Sequence, residues 1–512
     1  MKILLISFLE EINPLGLLHM ATYLKNNSYN VTTLFAPLNP KENEFGIEEN
    51  RVISDTEISG ILTLISQKNP AIIGISLMTI HYNSAVNLTK RIKEEFSDIP
   101  VIWGGIHPTL LPDECIQHAD IICRGEGEAA MLELMEHFSY GKPIENIESL
   151  WVKTKNSVVQ NEVRPLVQDL DSLGFPKFDW QSCFVLNQDK IIKLTKENYQ
   201  SYVPRNGHIY DVMVTRGCPY HCTYCCNASF KKLYSGKGKL LRSRSVDSVI
   251  QELEYVKEEF DFVKIINFQD DVFLIRKKDG WLDKFCQEYN EKIGLPFVCK
   301  GSPQEVTEEN ISMLKEAGME YFHIGIQNSD RVNREVYKRT TSDREKVIQA
   351  SEVLHKYNIV ARYDLILDDP FSTEEDILEV LDTLSRIRKP YVISCFSMTF
   401  FPGSEISKLA EEKGLLQKGK NGYLLKTTYA KRTYLNNLVE ISPRVPRSFV
   451  KFFVKYRKTR FAETLLTYYI FIHYHLIFKT FYMVSKHPKL LSIAKNIRFR
   501  LSNSRISNAR RS

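Results

Sequence analysis

The sequence lacks both a secretory signal and a long apolar run free of charge. Its 512 residues are 43% hydrophobic and 25% charged, with 23 Gly and 20 Pro. These values exclude a disordered, collagen-like or mainly transmembrane chain. The apolar N-terminal residues 1–7 are too few for a signal peptide, and Glu10 and Glu11 follow at once. We therefore expect a cytoplasmic protein.

Cysteine is also scarce, with ten residues in the chain. This density is too low for a disulfide scaffold, and thiols in the cytoplasm should be reduced. Four of the ten cysteines nevertheless lie within nine residues, between Cys218 and Cys226. Such crowding requires a chemical reason.

Acidic residues are almost absent from the end of the chain. Residues 450–512 contain 14 Lys or Arg and one acid, Glu463, so their net charge is +13 and that of residues 1–449 is −7. The most apolar stretch, Leu465–Val484, includes two histidines and a lysine and is a poor spanning helix. A basic, aromatic helical extension of this kind could bind anionic lipids or nucleic acid phosphates, and its apolar character favours the membrane surface. The alternative is a helical cap with a solvated basic face.

Residues 1–140 alternate strand and helix patterns. This alternation predicts a flavodoxin-like, doubly wound parallel sheet, which binds ligands beyond the carboxyl ends of its strands. Residues 141–205 lose the alternation and are predicted to be a linker subdomain. A capping box at Ser54–Glu57 predicts the start of one helix. The other predicted helices are Leu15–Asn26, Asn83–Phe96 and Glu126–Phe138. The predicted strands are Lys2–Ser7, Asn30–Phe35, Ala71–Ser76, Val101–Trp103 and Asp120–Cys123.

The predicted carboxyl ends of three of these strands are rich in small and polar residues. Glycine lets the backbone approach a ligand closely or adopt a positive φ. One such loop is compatible with ordinary turn chemistry, but three on one rim favour a binding face. The candidate ligand contacts are Ser76, Thr79, Gly104, Gly105, His107, Gly125, Glu126 and Gly127.

A second alternation of strands and helices covers most of residues 206–435. Six strands with five intervening helices predict a partial (β/α)6 barrel, whose site lies at the carboxyl ends of its strands. Residues 436–512 form the predicted helical extension. A second capping box is predicted at Ser372–Glu375. The predicted barrel strands are Asp211–Thr215, Val263–Phe268, Phe297–Gly301, Tyr321–Ile326, Val360–Leu367 and Val392–Thr399.

The most informative motif follows the first barrel strand. Cys218, Cys222 and Cys225 have the spacing C-x-x-x-C-x-x-C. Three thiolates on one loop suit three corners of a [4Fe–4S] cluster and leave one iron open. A structural zinc site would require a fourth ligand, for which Cys226 and His221 are the nearby candidates. Inert cysteines are the remaining alternative.

This motif resembles that of the radical S-adenosylmethionine (SAM) superfamily, over residues 206–405. The shared features are the cysteine spacing, Tyr224 before the third cysteine and the position after the first barrel strand. The resemblance implies that SAM binds the open iron and is cleaved to a 5′-deoxyadenosyl radical.

The same resemblance implies further contacts to SAM. Tyr224 would place backbone near the adenine, and Gln327, Arg339 and Asp364 match SAM contacts of coproporphyrinogen dehydrogenases. An arginine fork suits a carboxylate, although Arg339 and Asp364 could instead form a surface ion pair. The usual Gly-Gly-Glu motif is absent, Lys300 replaces a glutamate of those dehydrogenases, and residues 368–370 replace a common Gly-x-Pro.

Two acids at the predicted barrel mouth, Asp270 and Asp271, are candidate catalytic residues. Carboxylates are costly to bury unless they serve a ligand or a proton. A loop-capping role is the alternative.

Residues 1–140 resemble the N-terminal domain of cobalamin-dependent radical SAM proteins. The resemblance is carried by the loops at 13–17, 74–79, 103–109 and 124–128. The D-x-H-x-x-G signature of histidine-ligated cobalamin proteins is absent, so His107 is assigned a cofactor contact or a structural role.

The combined resemblance implies radical C-methylation of an unactivated carbon. It also implies a [4Fe–4S] cluster, SAM and cobalamin as cofactors. The alternative within enzymes is a cyclase or oxidoreductase resembling the anaerobic magnesium-protoporphyrin cyclases. A membrane-surface or nucleic-acid binding protein is the alternative from another class. The implied partners are a small, lipophilic substrate, a flavodoxin or ferredoxin as electron donor, and the inner membrane surface; nucleic acid is the less favoured partner.

Overall fold

The structure is a computed structural model that divides into two compact units, Met1–Lys431 and Arg432–Ser512. It describes residues 1–9, 15–38, 41–42, 48–49, 51–203, 207–275, 280–415 and 433–472. Part of the predicted 13–17 loop, the segment 473–484 and the basic residues beyond it lie outside this described part. Two short antiparallel strand pairs accompany the two large sheets of the first unit, of which the N-terminal sheet is mixed and the second sheet is parallel.

The N-terminal sheet has nine strands. Its central strands β2, β1, β5, β6 and β7 are parallel and lie in that order, so the strand order reverses beside β1. This order confirms the predicted doubly wound sheet, and a ligand crevice is expected where the order reverses. The strands of residues 1–203 are β1 (Lys2–Ser7), β2 (Asn30–Phe35), β3 (Lys41–Glu42), β4 (Glu48–Glu49), β5 (Ile72–Ser76), β6 (Val101–Gly104), β7 (Ile121–Cys123), β8 (Leu150–Lys153), β9 (Val158–Gln160), β10 (Cys183–Asn187) and β11 (Lys190–Lys193).

The segment 141–205 is not a separate linker subdomain. Its strands β8 and β9 extend one edge of the N-terminal sheet, and β10 and β11 extend the other. Three of the four new strand pairs are antiparallel, so they need no crossover helices. The strands are also short, which is why the alternation of the preceding residues is lost here.

The helices of residues 1–203 cover both faces of this sheet. The capping box at Ser54 is present, with Glu57 bonded to the Ser54 backbone. A core of residues such as Ile6, Ile61, Leu88 and Trp103 lies beneath the helices. The helices are α1 (Leu15–Asn26), α2 (Asp55–Lys68), α3 (Tyr82–Glu95), α4 (Ile106–Leu110), α5 (Pro112–Cys115), α6 (Glu128–Tyr140) and α7 (Lys196–Tyr199).

The second large sheet confirms the partial (β/α)6 barrel. Its six strands are parallel and follow chain order without closing. The strands of residues 207–415 are β12 (Ile209–Val212), β13 (Thr215–Arg216), β14 (Arg242–Ser243), β15 (Ile265–Phe268), β16 (Phe297–Gly301), β17 (Met319–Gln327), β18 (Val360–Asp368) and β19 (Tyr391–Ser397). The helices are α8 (Cys226–Leu233), α9 (Val246–Glu259), α10 (Trp281–Glu288), α11 (Glu308–Glu316), α12 (Arg344–Lys356), α13 (Glu374–Arg386) and α14 (Glu405–Glu412).

The second predicted capping box begins one residue later than expected. Thr373, not Ser372, is the N-cap of α13, and Asp376 completes the box. Ser372 instead hydrogen-bonds Asp369 and the Asn328 side chain, so it is part of a loop network at the top of the barrel.

The C-terminal unit is helical where it is described, with α15 (Tyr434–Ile441), α16 (Arg447–Lys455) and α17 (Arg460–Ile472). The Tyr434 hydroxyl donates to the Phe453 carbonyl at 2.9 Å, and the Phe449 and Tyr469 rings lie 5.0 Å apart. Among the described residues, no helix has the length and apolarity that crossing a bilayer requires.

Candidate functional site

The three clustered cysteines lie on one loop at the carboxyl end of the first barrel strand. Gly217 begins the loop with φ of +89°, and a Cβ there would lie 2.3 Å from the Leu240 carbonyl oxygen. Only glycine fits this close approach. Cys218 and Cys222 follow, and Cys225 is the N-cap residue of α8. The thiols of Cys218 and Cys222 are buried and that of Cys225 is half-buried.

Two side chains anchor this cysteine loop to the barrel. The carboxylate of Asp270, which is fully buried, accepts hydrogen bonds from the Val214 and Thr215 amides. Thr223, in the middle of the loop, donates to the Tyr337 and Val336 carbonyls at 3.0 and 2.9 Å. The loop is therefore held at both its start and its centre.

These contacts favour the loop-capping role, one of the two roles expected for Asp270. A catalytic carboxylate would face the barrel mouth, but both oxygens of Asp270 accept from Val214 and Thr215, directly before the cysteine loop. Burial raises the pKa of this carboxyl, and its hydrogen bonds oppose the rise. We assign Asp270 a structural role. Asp271 is exposed and accepts from the Asn227 amide at 2.8 Å.

The two candidate fourth ligands have other contacts. His221 is exposed, and its Nε2 lies 2.7 Å from Lys231 Nζ. The Cys226 thiol hydrogen-bonds Cys225, which lowers the pKa of Cys225 to about 7 although burial opposes the shift. Burial raises the pKa of Cys218 to about 12. Binding of iron to these thiols would release their protons.

The donor set fits an iron–sulfur cluster better than one ion. Within the described ranges, no three His, Cys, Asp or Glu side chains are placed to hold a single metal ion. A structural zinc ion requires four such donors around one centre. A cluster is held by thiolates on separate irons, and the loop presents three of them.

Arg339 and Gln327 lie beside this loop. Arg339 Nη1 is 3.7 Å from Cys222 Sγ, and Nη2 donates to the Gly325 carbonyl at 3.1 Å. Gln327 has φ of +66° at a break in register between β17 and β18. A Cβ on Gly325 would lie 2.4 Å from Gln327 Nε2, so glycine makes room for both side chains. Positive φ at a non-glycine residue is strained and is enriched at functional sites.

Tyr224 packs behind the loop, and Asp364 lies deeper in the barrel. The Tyr224 ring meets that of Tyr337 edge to face, with centroids 5.1 Å apart. Asp364 Oδ1 is buried, lies 3.6 Å from Arg362 Nε and has no hydrogen-bond partner among the described residues. Burial raises the pKa of Asp364, against the influence of Arg362, Lys300 and Arg339.

A cavity of about 390 Å³ lies between the carboxyl ends of the N-terminal sheet and the cysteine loop. Its N-terminal walls combine glycines with apolar side chains of β1, α1 and α6, such as Leu5, Leu17 and Met131. A Cβ on Gly127 would approach Met20 Cε to 2.8 Å, so glycine keeps this wall open. The predicted ligand contacts that line the cavity are Ser76, Gly104, Gly105, Gly125, Glu126 and Gly127.

Thr79 and His107 do not line this cavity. His107 is buried, its Nδ1 lies 3.2 Å from Thr79 Oγ1, and its ring is 5.0 Å from that of Tyr82. Burial lowers the pKa of His107 to about 4. These contacts belong to the packing of α3 and α4 behind the rim.

Ion pairs close one side of the cavity. Arg216, one residue before the loop glycine, bonds Glu128 at 2.6 Å and Glu126 at 3.3 Å. Arg242 pairs with Arg216 in the β13–β14 hairpin and bonds Glu126 at 2.8 Å. We name these four side chains the charged seam. It joins the N-terminal rim to the strand that carries the cysteine loop.

Both halves of the first unit match known protein families. Residues 1–135 match the B12 binding domain, and residues 212–384 match the radical SAM superfamily. The chain is a radical SAM protein with a B12-binding domain. The radical SAM domain implies a [4Fe–4S] cluster and SAM, and the B12-binding domain supports cobalamin as a further cofactor.

Relatives of this radical SAM protein span most of its length. An uncharacterized methyltransferase of Pyrococcus horikoshii is 26% identical over 71% of this chain and 74% of its own. The anaerobic magnesium-protoporphyrin IX monomethyl ester cyclase of Synechocystis sp. is 21% identical, over 80% and 75%. The structure of TsrM from Kitasatospora setae with cobalamin and a [4Fe–4S] cluster bound has a TM-score of 0.61 at 16% identity, covering 82% of this chain and 79% of that one.

Sequence reasoning missed several residues of the site. Arg216 and Arg242 are separated by 25 residues and lie side by side only because β13 and β14 pair in an antiparallel manner. His19 lines the cavity from α1, where its position reads as an ordinary helix face. Thr223 lies inside the cysteine motif, where its small polar side chain was an available signal.

Proposed function

We propose that this radical SAM protein is a cobalamin-dependent methyltransferase that methylates an unactivated carbon of a small molecule. One observation carries the proposal: the cavity of the B12-binding domain reaches the cysteine loop, because Gly217 and Asn227 line it. A methyl donor in that cavity and a radical source on that loop would share one space.

In this proposal Cys218, Cys222 and Cys225 hold the cluster. When bound, the cluster and SAM supply a 5′-deoxyadenosyl radical, and cobalamin supplies a methyl group. The chain would position these groups: Asp270 and Thr223 fix the loop, and the burial of Cys218 and Cys222 would limit the access of water to a cluster held there. A reduced flavodoxin or ferredoxin would donate the electron.

The residues around Cys222 would receive SAM. The Arg339 guanidinium suits the SAM carboxylate because a planar fork can donate two parallel hydrogen bonds. Gln327 offers an amide beside it, and the unpartnered oxygen of Asp364 can accept from ribose hydroxyls. Tyr224 would place backbone near the adenine, as the family resemblance implies.

A test compares two cysteines of the same segment. Cys218→Ala removes a proposed ligand, and Cys226→Ala removes a thiol that lies outside the triplet. After anaerobic reconstitution, we expect Cys226→Ala to contain bound iron, to show the cluster absorption and to cleave SAM. We expect none of these three results for Cys218→Ala. Equal iron content in both variants would contradict the assignment of the cluster ligands.

The cyclase relative supports a second candidate reaction, a radical cyclisation or oxidation. The products of the wild-type protein separate the two. Methyl transfer gives S-adenosylhomocysteine and a product heavier by a methylene group, whereas cyclisation gives neither. We favour methyl transfer because the cavity brings the B12-binding domain to the cluster loop.

We further propose that the C-terminal unit contacts an anionic membrane surface. On α17, Phe461, Leu465, Tyr468 and Ile472 are exposed at helical spacing, and Phe461 and Tyr468 are 69% and 64% exposed. Residues 433–472 contain seven Lys or Arg and two Glu. An apolar stripe with flanking cations is typical of helices that lie in the membrane interface.

Liposome co-sedimentation of the full chain tests this surface. We expect binding to vesicles with phosphatidylserine, and the double variant Phe461→Ser/Tyr468→Ser should bind several-fold less. Tyr140→Ser, which changes an aromatic residue that is 75% exposed on another helix, is the control. Equal binding of all three proteins, or retention by nucleic acid alone, would refute the membrane proposal.

A further inference from the structure

The barrel interior contains a row of three basic side chains to which the proposed function assigns no role. Lys300, His323 and Arg362 are partners in register on β16, β17 and β18. Successive strands of a parallel sheet carry such partners on the same face. All three line a chamber of about 210 Å³ inside the open barrel. We name them the lumen row.

The two cations of this row are incompletely paired. Arg362 Nε donates to Ser394 Oγ at 2.9 Å, and its two terminal amino groups donate to nothing among the described residues. Within the described ranges, Lys300 Nζ donates only to the neutral side-chain amide oxygen of Gln269, at 3.2 Å. His323 adds no charge, because burial and the two cations lower its pKa to about 4.

Nearby carboxylates pair with the row only in part. Asp364 Oδ1 forms an ion pair with Arg362 Nε at 3.6 Å but is too far for a hydrogen bond. Asp211 accepts from the Asn267 and Gln269 amides at 2.6 and 2.9 Å. The Arg362 side chain is 37% exposed, so water can reach it. Its terminal amino groups and the Lys300 ammonium line the chamber and are available to an anionic group there.

A second chamber, lined mainly by apolar side chains but also by Asp211, continues from the row toward the amino ends of the strands. It has a volume of about 460 Å³ and shares Asn267, Gln269, His323 and Arg362 with the chamber above. Its strand walls include Ile209, Ile265, Val298, Tyr321 and Val392. A ligand that spans both chambers would place an anionic group against the row and an apolar chain below it.

We infer that the barrel interior binds a substrate with an anionic oxygen group, a carboxylate or a phosphate, through Arg362 and Lys300, and with an apolar portion in the lower chamber. This inference rests on the proposed function for the identity of the ligand as a substrate. The guanidinium of Arg362 can bind two oxygens at once. Lys300 adds a point charge from β16, which lies two strands away from β18.

Three small probes test the binding site with the full chain. Hexanoate and hexyl phosphate carry the two anionic groups, and hexanamide is the neutral match. We expect calorimetric titration to show binding of at least one anionic probe and none of hexanamide. The preferred anion distinguishes a carboxylate substrate from a phosphate.

Variants locate this binding in the barrel. Each charge-assisted contact is worth roughly 1.5–3 kcal/mol, which corresponds to a loss of about tenfold or more in affinity for Arg362→Gln and for Lys300→Gln. Arg388→Gln changes an exposed arginine and should bind as the wild type does. If Arg362→Gln fails to fold, Lys300→Gln carries the test alone. Binding of hexanamide equal to that of the acids, no binding of either acid, or equal affinity in all variants would overturn the inference.

SAM cleavage without substrate separates this inference from the proposed function. Lys300→Gln should keep the cluster and the slow cleavage of SAM, because Lys300 Nζ bonds Gln269 and neither the cysteine loop nor a proposed SAM contact. Arg362→Gln is left out of this comparison, because Arg362 forms an ion pair with Asp364, a proposed SAM contact. If the wild-type protein binds the anionic probe but does not cleave SAM, the proposed function is refuted and the inferred anion site is still supported.

Discussion

The two large sheets of the first unit present the carboxyl ends of their parallel strands to the same cavity with different chemistry. The N-terminal sheet supplies mainly glycines and aliphatic side chains, which provide room, and its rim adds the carboxylates of Glu126 and Glu128 to the charged seam. The barrel supplies arginines and the cysteine loop, so its rim provides charge and ligands. The same strand topology therefore serves two purposes, and the charged seam is where the two rims are fixed to each other.

This difference explains which parts of the site could be predicted. The cysteine triplet and the glycine loops are local patterns, and the chain itself brings their residues together. The charged seam, the lumen row and the hydrogen bonds of Asp270 depend on partners in register or on antiparallel pairing between distant segments. A sequence does not reveal such pairing, which is why it leaves both a catalytic and a loop-capping role open for Asp270 and shows Lys300 only as a difference from the dehydrogenases.

The fold was predictable for a similar reason. The central strands and helices of both sheets carry full apolar periods, and β1, α1 and β2 have the predicted bounds. The prediction of a linker subdomain at 141–205 was wrong because the strands there are short and mostly antiparallel, so no helix marks their ends. Edge strands need only one packed neighbour, and their pattern is correspondingly weak.

The largest effect is expected from breaking the charged seam. Arg216→Gln leaves Glu128, whose side chain is only 6% exposed, without its cation. Removal of one partner of a buried pair costs about 3 kcal/mol because the other charge stays buried and unpaired. Urea unfolding followed by circular dichroism should show this loss in free energy of unfolding, together with a lower rate of SAM cleavage.

An exposed ion pair provides the control for the seam. Lys284 bonds Asp247 at 2.8 Å on the surface, and Lys284→Gln should leave both stability and SAM cleavage nearly unchanged. A stability loss in Arg216→Gln with normal SAM cleavage would mean that the seam holds the two halves together without positioning the cysteine loop. No loss in either measurement would show that the seam is replaceable by water.

The smallest effect on stability is expected from a substitution in the N-terminal wall of the cavity. Gly16 lines the cavity on α1, and a Cβ there would meet no atom within 4 Å. Gly16→Trp should therefore fill part of the cavity while changing the free energy of unfolding by about 0.5 kcal/mol or less. We expect hydroxocobalamin titration of the apoprotein to show affinity reduced by about tenfold or more, as for any group that must displace a side chain from its site. Gly16→Ala adds only the Cβ and should bind cobalamin as the wild type does. If Gly16→Trp binds equally well, cobalamin occupies another part of the cavity, and the division of roles between the two rims would have to be redrawn.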